Sequence, residues 1–111
     1  MSALSAIREA LLPLGYEISP TMNTHKSDTY ITYGEIMDHG EDFGDDSPEH
    51  VRVTVRVHFI CPYNKNYLTA KRNIRRAIAA ADFTFPYIED ASLPDDNIRH
   101  LVYTTEYLET F

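Results

Sequence analysis

Residues 51–60 read VRVTVRVHFI, and the fold class is decided by this run. Val51, Val53, Val55, Val57 and Phe59 alternate with Arg52, Thr54, Arg56, His58 and Ile60. A period of two is that of a strand, in which successive side chains point to opposite faces. One face is therefore core, and the other is wet or covered by a partner. Upstream, Thr29–Met37 is rich in Tyr, Ile and Thr, residues that suit a pleated surface. The two runs are expected to pair as a long hairpin. Between them, His39–Pro48 holds Gly40, Gly44, Pro48 and a cluster of Asp, and reads as a loop. Its part Glu41–Pro48 is expected to be mobile until a partner orders it, because like charges and glycines favour solvation.

Helical periodicity flanks the hairpin. Leu4, Ile7, Leu11 and Leu14 share one face of a helix over Ala3–Leu14, with Ser2 able to cap its start and Gly15 its end. Pro13 falls in the last turn and predicts an irregular ending. A second helix is predicted over Asn66–Ala81, with Tyr67, Ala70, Ile74, Ala77, Ile78 and Ala81 as its apolar stripe. Lys71, Arg72, Arg75 and Arg76 lie away from that stripe. Tyr16–Ser19 reads as a short strand. Pro20–Asp28 and Ala91–Asn97 read as loops. Asp82–Ile88, interrupted by Pro86, is at best an edge strand. Ile98–Leu108 is a final strand, with Leu101, Tyr103, Thr105 and Tyr107 on one face. The expected fold is a single α+β domain over residues 1–111: a mainly antiparallel, twisted sheet with a long β-hairpin and two helices on one face.

Composition narrows the functional classes. Hydrophobic residues are 43% of the 111 and charged residues 24%, which suits one globular core and not a disordered chain. The single cysteine, Cys61, forms no internal disulfide and no Cys-rich zinc site. No run approaches the ~20 apolar residues of a membrane span, so no membrane is expected as a partner. The first fourteen residues lack a basic segment and an apolar run, so no signal peptide is expected and synthesis in the cytoplasm is. A net charge of −7 disfavours generic or sequence-specific nucleic-acid binding.

Candidate chemistry is sparse. Asp38, Asp42, Asp46 and Glu49 occupy positions 1, 5, 9 and 12 of a calcium-loop frame, but Phe43 stands where that frame needs glycine and the flanks are strands. The five histidines, His25, His39, His50, His58 and His100, show no metal-binding spacing, and each reads as a surface or interface residue. A Cys61–His100 dyad has no spacing to support it, and no phosphate-cradling or nucleophile-elbow motif is present. No catalytic, cofactor or metal residues are assigned, and the chain reads as not an enzyme.

The charges are segregated along the chain. Seven acids and no Lys or Arg lie between Glu35 and Glu49, and seven bases and no acid lie between Arg52 and Arg76. The plain reading is two solvated faces. The sharper one is a contact between subunits, with Arg52, Arg56, Arg72, Arg75 and Arg76 of one copy facing Asp42, Asp45 and Asp46 of the next. An alternative is a small ligand- or nucleic-acid-binding module that uses Arg72, Arg75 and Arg76, with Tyr63 and Tyr67 nearby. A hydrolase with an unrecognised site is the third class.

The segments ALSAIREALLPLGY (3–16), TYITYGEI (29–36), HVRVTVRVHFICPY (50–63), NYLTAKRNIRRAIAAA (66–81) and RHLVYTTEYLE (99–109) follow an order that resembles the tail-completion, or tail terminator, proteins of tailed bacteriophages, which join tail to head. The resemblance spans nearly the whole chain as a pattern of segments; the chain departs from it in a DTYITY entry without proline and in a long acidic hairpin. It implies a non-enzymatic virion subunit of the tail or neck that forms a ring, as a homo-hexamer. Its partners would be the tail-tube protein and a head-completion or connector protein, with DNA passing through the ring and no cofactor.

Overall fold

The computed structural model of the chain describes residues 2–20, 26–44 and 47–110, and the backbone alone for 42–44 and 47–48. Helix α1 (Ala3–Leu11) is capped by Ser2, whose Oγ accepts the Ser5 N–H at 3.2 Å. Pro13 has no N–H to continue the α ladder, so the chain tightens into a 3₁₀ turn, Leu12–Leu14. Gly15 then ends it at φ +86°, a left-handed conformation that favours glycine. Strands β1 (Glu17–Ser19), β2 (Tyr30–Gly44) and β3 (Ser47–Pro62) follow, then helix α2 (Leu68–Ala80), strand β4 (Tyr87–Asp90) and strand β5 (Ile98–Thr110).

The five strands form one sheet in the order β1-β2-β3-β5-β4. The β1–β2 pair is parallel and the other three are antiparallel. Val53, Val55, Val57 and Phe59 are buried, whereas Arg56 on the alternate face is exposed, so the register read from the period-two run holds. Ile31 and Tyr33 of β2, Leu101 and Tyr103 of β5, Ala3, Ala6, Ile7 and Leu11 of α1, and Ala70, Ile74 and Ile78 of α2 join them in one core. Both helices therefore cover the same face. Val51 and Leu4 pack at the margin of this core and are only partly buried. Tyr103 is fully buried, and its hydroxyl donates to the Lys71 carbonyl of α2 at 3.1 Å, which ties the helix to the central sheet.

Three expectations need correction. The segment read as a loop over His39–Pro48 is paired strand where it is described: His39 lies opposite Arg52, Phe43 opposite Pro48 and Gly44 opposite Ser47. Once β2 and β3 are in register, cross-strand backbone bonds override the poor strand propensity of Asp and Gly. The expected mobility of Glu41–Pro48 falls partly on residues 45 and 46 and on side chains 42–48, outside the described set. Beyond Pro86 the edge strand begins only at Tyr87, since the ring of Pro86 supplies no ladder donor. Helix α2 is shorter than expected: Asn66 lies outside it and accepts the Leu68 N–H through Oδ1 at 3.1 Å.

A bulge at Ile36 inserts one extra residue, because Glu35 pairs with Val55 and Met37 with Thr54. The chain is elongated, 54 × 26 × 25 Å, with a radius of gyration of 15.2 Å. A compact domain of this length would have roughly 13 Å. The hairpin is the cause, since fifteen- and sixteen-residue strands run the length of the molecule.

Candidate assembly surfaces

Three surfaces carry the side chains that the core does not use. The first is the sheet face opposite the helices, built from the outward positions of β2, β3 and β5. Arg52 is its strongest electrostatic centre. Its Nε and Nη2 donate to Glu41 Oε1 and Oε2 at 2.5 and 3.0 Å, and its Nη1 reaches Glu106 Oε1 at 3.5 Å. This forked contact holds the Glu41 carboxyl below its usual pKa, helped by His39 3.3 Å away, and raises that of Arg52. Acid and base that are segregated in sequence thus meet within one chain, because the hairpin folds the acidic half of β2 onto the basic half of β3. Arg52 is accordingly already partnered, whereas Arg56, four residues on, is exposed on the same face.

His58 and His100 meet on this face, with Nδ1 of one 2.8 Å from Nε2 of the other and ring centroids 5.1 Å apart. Spacing along the chain gives no sign of this pair. The two are 42 residues apart in the chain, but β3–β5 pairing sets Ile60 opposite His100 and His58 opposite Val102, so the rings are diagonal neighbours. Burial lowers the pKa of both, and His58 is lowered further by His100 and Arg56. His100 does not meet Cys61, which lies in the core on the other face, where burial raises the thiol pKa. Among the described residues no three His, Cys, Asp or Glu converge on one point. Asp38 and Glu49 of the calcium frame sit on hairpin strands, whereas the Asp42 side chain and the whole of Asp46 lie outside the described set.

The second surface is the outer side of α2 with the β4 edge. Arg72 and Arg76 are exposed and Arg75 is half-buried. Beside them a groove of 560 Å³ is lined by Lys71, Arg75, Phe85, Pro86, Tyr87 and Ile88. Phe85 is 71% exposed and Tyr87 78%, large aromatic areas left in water. The sequence reading credited the arginines and missed these rings. Phe83, two residues before Phe85, is by contrast buried in the core. Around the edge, a pocket of 380 Å³ lies among Thr54, Thr84, Phe85, Tyr87, Thr104, Thr105 and Glu106.

The third surface is the far end of the hairpin. The helical layer stops near Val51, where the Ala3 N–H donates to Glu109 at 2.6 Å and Glu109 lies opposite Val51. β3 continues four residues further, to Ser47, about 13 Å at strand rise. Of the predicted interface acids, Asp42 lies on β2 at this end with its side chain outside the described set, and Asp45 and Asp46 lie outside that set altogether. Arg99 is a structural cation at the opposite end: its guanidinium lies 4.1 Å from the Tyr63 ring centre and 4.0 Å from that of Tyr67, and 3.2 Å from Asp90.

No helix among the described residues is long and apolar enough to cross a membrane. No family model matches the chain, and no curated protein matches it in sequence.

Proposed function

We propose that this chain is a structural subunit of a phage or prophage tail, joining copies of itself head to tail into a ring that completes the tail tube and connects it to the head. One observation carries the reading: an acidic β-hairpin end extends past a two-layer body whose α2–β4 flank presents cations and bare aromatic rings. Unlike surfaces on one subunit suit a heterologous contact, which closes into a ring when its rotation divides a full turn. The order of segments, which resembles tail-completion proteins, supplies the biological setting. On this reading the subunit works by shape and carries no catalytic centre, and it resides in the virion neck. The test mixes tailless heads and unjoined tails with the purified protein and scores joined particles by electron microscopy and infectivity. Joining restored by wild type, and not by Arg72→Glu, Arg75→Glu protein that remains folded, is the expected result. Wild type without effect on joining sinks the proposal.

A second reading is favoured by the same groove. Lys71 and Arg75 beside Phe85 and Tyr87 would suit a single-stranded nucleic acid, with cations on phosphates and rings under bases. Tight, salt-dependent oligonucleotide binding would favour it over the ring.

A further inference from the structure

We infer that the pocket at the β4 edge of the open sheet face binds a neutral sugar, as one pyranose unit that is free or at the end of a glycan. The inference goes beyond the ring proposal and does not depend on it.

Strand register builds the site. Tyr87 lies opposite Thr104, and Glu106 opposite Thr54, so all four side chains belong to the face away from the helices. Ahead of β4, Thr84 donates its N–H to the Glu106 carbonyl at 3.0 Å, and its Oγ1 accepts the Glu106 N–H at 2.9 Å. The two bonds pin this segment along β5 and fix Phe85 in the pocket wall. The pocket measures 380 Å³. Ligand pockets run from ~300 to 1,000 Å³, so this one suits a single ring and not a chain. Thr54 supplies an independent observation. It lines the pocket and is only 6% exposed, and its Oγ1 has no hydrogen-bond partner among the described residues. Met37, opposite it on β2, offers only a thioether, and the Glu106 carboxylate on its other side reaches Arg52 through Oε1. A buried hydroxyl left unbonded costs stability, which a ligand that bonds it would restore.

Charge and shape select the ligand. Among the lining residues Glu106 alone is charged, and it repels anions. A cation is opposed by Arg52, 3.5 Å from Glu106 Oε1, and by Arg56, which lies opposite Thr104. A neutral ligand remains. A wholly apolar one would cover the Thr54 hydroxyl and the Glu106 carboxylate without bonding either. A pyranose meets both demands. One face of its ring is C–H groups, which pack on the electron-rich faces of aromatic rings, and Phe85 and Tyr87 offer such faces, each more than two-thirds exposed. Its rim is hydroxyls. Glu106 Oε2, which has no partner among the described residues, accepts from them, and the Thr54 and Thr104 hydroxyls can donate or accept.

The test is an amide NMR titration of the purified chain with glucose, galactose, mannose and N-acetylglucosamine, each to about 100 mM, a range in which millimolar contacts register. Glycerol at the same molarity sets the baseline for solvent effects. At least one sugar is expected to give saturable shifts at the amides of Phe85, Tyr87, Thr104 and Glu106. Circular dichroism melts confirm that each variant is folded. Tyr87→Ala and Glu106→Gln should weaken binding at least about fivefold. Thr54→Val keeps the shape of the side chain and removes its hydroxyl. It should weaken binding to a similar degree and raise the Tm of the free protein, because the unbonded hydroxyl is stabilising only when a ligand is present. A lower Tm in Thr54→Val would mean that the hydroxyl is bonded within the chain, and it overturns the inference. So do shifts that are absent with every sugar, matched by glycerol, or unchanged in Tyr87→Ala. The methyl glycoside of the sugar that binds separates the two sources. A site for a glycan end accepts it, and a site for the free sugar needs the anomeric hydroxyl open.

Discussion

Replacing Val55 by Ala tests the register on which every surface assignment depends. Val55 is fully buried at the middle of β3, between Glu35 of β2 and Thr105 of β5, with both helices packed over its face. The substitution removes two methyl groups. At ~0.8 kcal/mol each the transfer loss is about 1.6 kcal/mol. A central strand held on both sides relaxes little, so a residual void of roughly 40–50 Å³ at ~24 cal/mol per Å³ adds about 1 kcal/mol. The sum is about 2–3 kcal/mol, or a fall in Tm of roughly 8–12 °C for a domain of this size. The paired control is Arg56→Ala. Its side chain is exposed on the opposite face, so the change should stay within about 0.5 kcal/mol. Urea unfolding with a common slope for wild type and both variants gives the comparison. A slip of one residue would exchange the two faces, and the two costs with them. Arg56→Ala costing more than Val55→Ala would refute the register, and with it the placement of Arg52, His58 and His100 on the open face.

The strand period of residues 51–60 and the helix period of residues 66–81 were legible because each is a local consequence of one buried face. The α+β class followed, and so did the 29–37 partner strand. The hairpin end was not legible. Gly40 and Gly44 are poor strand formers taken singly, and only the neighbouring strand, invisible in a local window, makes them pair. The bulge at Ile36 was hidden for the same reason. It left Ile36 and Met37 46% and 56% exposed, where simple alternation would have buried one of them. Side-chain partnerships were less legible still. Arg52 with Glu41 follows from hairpin register and could have been found by sliding one strand along the other. His58 with His100 needed the β3–β5 register, which no turn fixes, since α2 and β4 intervene. The charge segregation was read correctly as a pattern and incompletely as a mechanism. Part of it is spent inside the chain at Arg52, and the part left over is the α2 flank.

Tyr103→Phe deletes a buried hydroxyl that donates to the Lys71 carbonyl at 3.1 Å and leaves the ring in place. It should cost about 1 kcal/mol by thermal or urea unfolding, and a neutral result would mean that α2 is not held to β5 at this point. The histidine pair sets the response to mild acid. Both imidazoles have folded-state pKa values below the ordinary 6.5, because burial penalises the charged form and, at His58, because His100 and Arg56 add repulsion. In the unfolded chain they titrate near 6.5, so below that pH the unfolded state binds more protons than the folded one. Stability then rises with pH across the window. It is full above about 6.5 and is lost as pH falls through the depressed folded values. The carboxylates Glu41 and Asp90, also depressed, lose their contribution at lower pH, starting near 4.5 and 3.8. The two ranges are therefore separable. Unfolding measured at intervals from pH 7.5 to 5 should show declining stability in wild type and a flatter profile in a His58→Gln, His100→Gln protein. A wild-type profile that is flat over this range, or a decline that survives in the double variant, would mean that the pair is not held neutral on the open face.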